Sequence, residues 1–142
     1  MQRLTTGARL AALMLAAATL IAGCGSDTTT PTIPTPNPVT ETFTGTVAQH
    51  SVTIQPFTAT AAGAVTATLT TLGPLSTITM GFSLGTYSGT TCQVVLDNTA
   101  AVQGSILTAT AATQGTFCAR VYDVGNITEG TTVSFTLTVV HN

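Results

Sequence analysis

Along residues 131–140, apolar and hydroxyl-bearing side chains alternate one for one. Val133, Phe135, Leu137 and Val139 fall on one side of an extended chain, and Ser134, Thr136 and Thr138 on the other. A strand turns successive side chains to opposite faces, so the pattern predicts a strand with one buried face and one wet face. The same alternation runs through 64–70, where Val65, Ala67 and Leu69 interleave with Thr66, Thr68 and Thr70. In 77–84, Ile78, Met80, Phe82 and Leu84 alternate with Thr77, Thr79, Gly81 and Ser83. Shorter segments at 42–48, 51–60, 91–96, 105–111 and 116–123 read the same way. In 51–60 the phase changes about Pro56: Val52 and Ile54 share one parity, Phe57 and Ala59 the other. A proline there predicts a bulge or a switch between sheets.

Breaks are predicted at Ala62-Gly63, Gly73-Pro74, Gly85 to Gly89, Asp97-Asn98, Gln114-Gly115 and Gly125-Asn126. No stretch of 41–142 carries helical periodicity. About eight short strands at this spacing predict an all-β domain, a two-sheet antiparallel β-sandwich of jelly-roll-like form.

The chain before this domain has a different character. Arg3 and Arg9 precede an apolar run from Leu10 to Ile21. At about 12 residues the run is too short for a bilayer core, which needs roughly 20, and suits a secretory signal segment. Its end, Leu20-Ile21-Ala22-Gly23-Cys24, resembles the lipobox of bacterial lipoproteins. The resemblance implies cleavage before Cys24 and a diacylglyceryl thioether on that cysteine, so that a lipid bilayer is a partner of the chain through Cys24. Several acyl chains, at about 0.8 kcal/mol per buried CH₂, make such anchoring stable. Gly25, not Asp, follows the cysteine, and by the same resemblance the outer membrane is favoured over the inner one.

From Gly25 to about Thr40 the chain is mostly Ser, Thr, Asp and Pro, with four of its six prolines at Pro31, Pro34, Pro36 and Pro38. This composition predicts a semi-rigid polyproline-II spacer that reaches up to about 50 Å at roughly 3.1 Å per residue. The expected organisation is a signal peptide at 1–23, a lipidated cysteine and tether at 24–40, and the β-sandwich at 41–142. Asp27-Thr28-Thr29 resembles a short bacterial O-glycosylation motif; Asn126-Ile127-Thr128 fits the N-glycosylation pattern by chance.

The domain itself resembles a second family. Segment 115–125 (Gly-Thr-Phe-Cys-Ala-Arg-Val-Tyr-Asp-Val-Gly) and segment 134–139 (Ser-Phe-Thr-Leu-Thr-Val) are similar to the last strands of the bacterial pre-peptidase C-terminal domain. Segments 57–63 and 65–69, and Phe43 to Val47 at the start, are similar to its earlier strands. The resemblance covers most of 43–139. It implies a jelly-roll-like sandwich of the kind appended to secreted hydrolases, acting as a binding or accessory module. The family's Asp-x-Asp-Leu-Tyr stretch is absent, because 77–84 reads Thr-Ile-Thr-Met-Gly-Phe-Ser-Leu. Its acidic calcium-ligand set is not reproduced either.

Charge narrows the functions further. Only 6% of residues are charged, and there is no lysine. After cleavage Arg120 alone stands against Glu41, Asp27, Asp97, Asp123 and Glu129, a formal −4. One cation cannot neutralise several phosphates, which argues against nucleic acid as a partner. Thr, about a quarter of the chain, keeps exposed strand faces wet without charge and favours strands over helices.

Three cysteines are present. With Cys24 assigned to lipid, Cys92 and Cys118 form an even pair, which in an oxidising compartment reads as a disulfide. Cys118 alternates away from Phe117, Ala119 and Val121, so the bridge is expected on an outer face or at a sheet edge.

Catalysis finds no constellation. The histidines are His50 and His141, and His141, next to last, is expected to fray. There is no Gly-x-Ser-x-Gly, His-x-x-x-His or Cys-x-x-Cys, so no catalytic or metal residue and no cofactor is assigned. Asp97 with Asn98, and Asp123 with Asn126, read either as a weak calcium site or as turn formers bonding local backbone, the commoner use. Arg120 shares a face with Cys118 and Tyr122 and is expected to pair with an acid such as Asp123 or to stack on Tyr122. Two readings of function result. One is a non-catalytic envelope module that binds a protein or polysaccharide. The other is a structural or self-assembling envelope protein whose sheet edges, without lysine guards, accept another strand.

Overall fold

A computed structural model describes residues 36–142. The expected signal segment, Cys24 and most of the expected tether lie outside the described residues. Within them, eight strands follow in order: β1 (Val39–Ala48), β2 (Val52–Ala59), β3 (Gly63–Gly73), β4 (Met80–Ser88), β5 (Thr91–Ala101), β6 (Ile106–Ala111), β7 (Gly115–Tyr122) and β8 (Thr132–His141). They form two four-stranded antiparallel sheets, one ordered β1-β8-β3-β6 and the other β2-β7-β4-β5. The all-β sandwich read from the pattern is the observed fold.

The order has a simple logic. β4 pairs with β5, β3 with β6, β2 with β7 and β1 with β8. The chain is thus one long hairpin, folded at the β4–β5 turn and rolled up so that successive pairs alternate between layers. The additional pairs β3–β8 and β4–β7 stitch the roll into sheets. This is jelly-roll winding, in which only β4 and β5 are consecutive neighbours within a sheet.

The buried parities match the sequence pattern. Val133, Phe135, Leu137 and Val139 of β8 and Val65, Ala67 and Leu69 of β3 meet Phe57, Ala59, Met80, Phe82, Leu84, Ala119 and Val121 of the facing sheet. A register shift between Leu69 and Thr71 absorbs one residue of β3 and returns Leu72 to the core.

Four expectations need correction. Strand β2 runs from Val52 to Ala59 against β7 with no register shift, so Pro56 marks neither bulge nor sheet switch. It lies on an edge strand instead. The Asp123 amide donates to the Ser51 carbonyl, which sets odd-numbered residues of β2 toward β7 and leaves the missing N–H of Pro56 on the open edge, where it costs no bond. Val52 and Ile54 are simply on the outer face. Second, the chain does not break at Gly85; β4 continues to Ser88 and turns at Gly89, whose φ is +67°. Third, Asp97 and Asn98 lie inside β5, where a register shift takes up the irregularity, and the turn falls later around Gly104, with φ +88°. Fourth, β1 begins at Val39, two residues before the expected domain start.

The outer face of β4 also departs from the pattern. Gly81, Ser83 and Gly85 alternate away from the core yet are buried. A Cβ on Gly81 would fall within the Tyr122 ring, and one on Gly85 would meet the Gln93 carbonyl. Glycine at these two positions lets β7 lay an aromatic ring, and β5 its backbone, across β4.

Candidate functional site

The outer face of the β2-β7-β4-β5 sheet gathers the chain's sparse polar chemistry. Ser83 of β4 is paired with Asp97 of β5 on one side and Arg120 of β7 on the other, so the three form one row. One row along, Tyr122 lies over Gly81, and its hydroxyl donates to both carboxylate oxygens of Asp97, at 2.8 and 2.9 Å. The Arg120 guanidinium stands over the Tyr122 ring, 5.3 Å from its centroid. Arg120 and Tyr122 meet because they are two apart on one strand. Asp97 joins them only through the β4–β5 register.

Three consequences follow. Tyr122 keeps its proton more firmly than a free phenol, because burial and the neighbouring Asp97 carboxylate raise its pKa while Arg120 opposes them. It is a donor here, not a base. Arg120 stacks as expected, and among the described residues no carboxylate lies within ion-pairing distance of its guanidinium. Ser83 Oγ is buried beneath this cluster without a hydrogen-bond partner.

Asp123, the other acid considered for Arg120, is used elsewhere. Its Oδ1 accepts the amides of Gly125 and Asn126 at 2.9 Å and Ile127 at 3.1 Å, and its Oδ2 accepts the His50 amide at 2.9 Å. Burial raises its pKa, but the four amide bonds outweigh burial and hold it below the usual carboxylate value. The Asn126 side chain donates to the Thr79 carbonyl. Both residues thus fasten the β7–β8 loop to neighbouring turns, the backbone use weighed for them. Among the described residues no three of His, Cys, Asp and Glu converge.

His141 is not frayed. It is the last residue of β8, buried inside the roll, with Nε2 2.7 Å from Glu41 Oε1 and its ring stacked on Phe57 at 5.3 Å between centroids. The signal was present in the sequence, because His141 continues the inward parity of Val133 to Val139. The general tendency of chain ends to fray masked it.

Cys92 of β5 and Cys118 of β7 are disulfide-bonded, with Cα atoms 5.8 Å apart. Both are buried, and Cys118 is on the outer parity of β7, as expected. Strands two apart in a sheet normally stand roughly 9–10 Å from each other. The bridge holds the start of β5 folded over β4 at Gly85, which explains the tight approach there.

Two apolar recesses lie elsewhere on the surface. One, of about 110 Å³, lies between the layers and is lined mainly by β4 and β6, including Leu84 and Ala109, with Val95 of β5, Val65, Phe57 and Phe117. The second, of about 230 Å³, lies under the β3–β4 and β7–β8 loops, among Pro74, Leu75, Ile78, Ile127 and Val133. Neither carries an ionisable side chain. No protein-family model matches the chain, and no curated protein matches it. No helix among the described residues is long and apolar enough to cross a membrane.

Proposed function

We propose that the chain is a lipid-anchored lipoprotein of the bacterial cell envelope, favouring the outer membrane, whose sandwich is a non-catalytic binding or accessory module related to pre-peptidase C-terminal domains. The anchor reading is supported by the Leu20 to Cys24 segment and the proline-rich stretch after it. The binding reading rests on one observation: the Arg120 guanidinium is fixed over Tyr122, Tyr122 is fixed by Asp97, and no carboxylate of the described residues answers the charge. A planar donor group held in place loses little freedom on binding and suits hydroxyl or carboxylate oxygens of an envelope polysaccharide or protein. The neighbouring groups supply no nucleophile with a base, which is why a binding role is favoured over turnover.

Two measurements test the two halves separately. Growth with an alkyne-tagged fatty acid should label the wild-type chain and not Cys24→Ser; equal labelling of both would remove the anchor. Retention of the chain on isolated envelope polymers and envelope proteins should fall at least tenfold in Arg120→Gln with the fold unchanged. Retention indifferent to that change would move the site elsewhere.

A further inference from the structure

The sandwich has four edge strands, and three carry a recognised guard against pairing with another chain. On β1, Glu41 points inward to His141. On β2, Pro56 faces the open edge without an N–H. On β5, two register shifts break the line of the strand. β6 has no charge, proline or bulge: Ile106 to Ala111 pair with β3 in unbroken register. β6 and β5 border the same flank of the roll. Of the seven exposed large hydrophobic residues among the described residues, four lie there, with Ile106 59% and Val95 71% exposed beside Val94 and Val102.

We propose that this flank is a self-association surface, on which a second copy of the chain pairs β6 with β6 antiparallel about a two-fold axis. The Leu69 amide donates to the Ser105 carbonyl, which sets odd-numbered residues of β6 toward β3. The amides and carbonyls of Ile106, Thr108 and Thr110 therefore face the open edge. Pairing centred on Thr108 places Thr108 opposite its own copy and Ile106 opposite Thr110, joining those free groups. On the inner face it sets Leu107 against Ala109, large against small. Threonine already faces threonine across this sheet at Thr42 and Thr138, Thr44 and Thr136, and Thr66 and Thr108.

A second copy fits the flank better than a lone strand for two reasons. It presents two layers at the sandwich spacing, so the β6 edges pair while β5, whose register shifts bar strand pairing, packs its exposed valines beside them. Residues 102–111 carry no charge, and Asp97 of β5 is tied to Tyr122, so two acidic chains meet along β6 without repulsion. Six residues of strand at roughly 3.4 Å each, over two layers about 10 Å apart, give on the order of 800 Å² in total. This is the weak end of specific interfaces, so the expected dimer is concentration-dependent. It does not depend on the Arg120 site.

The test is light scattering of the detergent-extracted full chain, which gives protein mass apart from detergent. The wild-type mass should rise from one chain toward two as concentration reaches about 1 mM. Thr108→Pro removes an amide that β3 does not use, and Thr110→Lys places a charge on the exposed face; both should stay at one chain with unchanged circular dichroism. If Thr108→Pro does not fold, Thr110→Lys carries the test. A wild-type mass fixed at one chain, a rise past two, or a rise retained in the folded variants would overturn the proposal.

Discussion

The two flanks of the roll are closed in different ways. On the β1–β2 flank, polar groups line the seam: the Thr53 hydroxyl donates across the layers to the Thr46 carbonyl at 2.6 Å, Ser51 ties the turn at Ala48, and Glu41 bonds His141 within its own sheet. On the β5–β6 flank the groups between the layers are apolar and the seam stays open, with the disulfide holding only the start of β5. Directional bonds pin a seam at fixed points whatever surrounds it. An apolar seam is satisfied only when something covers it. One side of the molecule is therefore finished by its own residues, and the other is finished by cross-linking and by whatever docks there.

The largest expected effect breaks the open flank. Closing a loop with a sequence separation of 26 stabilises a fold by about 3–4 kcal/mol on the chain-entropy model. Replacing both Cys92 and Cys118 by Ala should lower stability by that order in chemical denaturation, and amide exchange should quicken first in β5. Uniform quickening across both flanks would erase the contrast. A smaller effect belongs to the closed flank. Glu41→Ala leaves the buried His141 ring without its carboxylate; with Glu41 partly exposed the cost is about 1–2 kcal/mol, and exchange should quicken in β1 and β8.

The smallest effect sharpens the comparison through pH. Because the folded Asp123 carboxyl holds its proton less tightly than the unfolded one, its stabilisation is full above the usual carboxylate value and is lost as pH falls through the lowered folded value. Asp123→Asn should melt below wild type at pH 7, and the gap should close as pH drops below about 4. A gap that is constant with pH would remove the carboxylate from the account of the β1–β2 turn.

The strands were legible because threonine and aliphatic residues alternate so regularly that burial could be read from parity, as in Val133 to Val139. Ends and breaks were less so. Glycine and Asp-Asn pairs read as turns at Gly85 and Asp97, yet Gly85 is a place where β5 crosses β4, and Asp97 is a Tyr122 partner inside a strand. Both facts depend on which strands lie side by side, and local pattern holds no record of that. Arg120 over Tyr122 was legible from their spacing of two; the third member, Asp97, was not, because only the bulged β4–β5 register brings it there. Cys118 was correctly placed off the core by parity, while His141 was misjudged by applying a rule about chain ends to a residue that continues a buried row.

The place of β8 in the roll has a consequence for biogenesis. It is the last strand in sequence but an inner strand of its sheet, between β1 and β3. Until residues 132–141 are free to pair, β1 has no neighbour in its sheet and β3 has only β6. Native pairing between segments so distant is slow to begin with. Both outer partners of β8 therefore wait for residues 132–141 before their sheet can close.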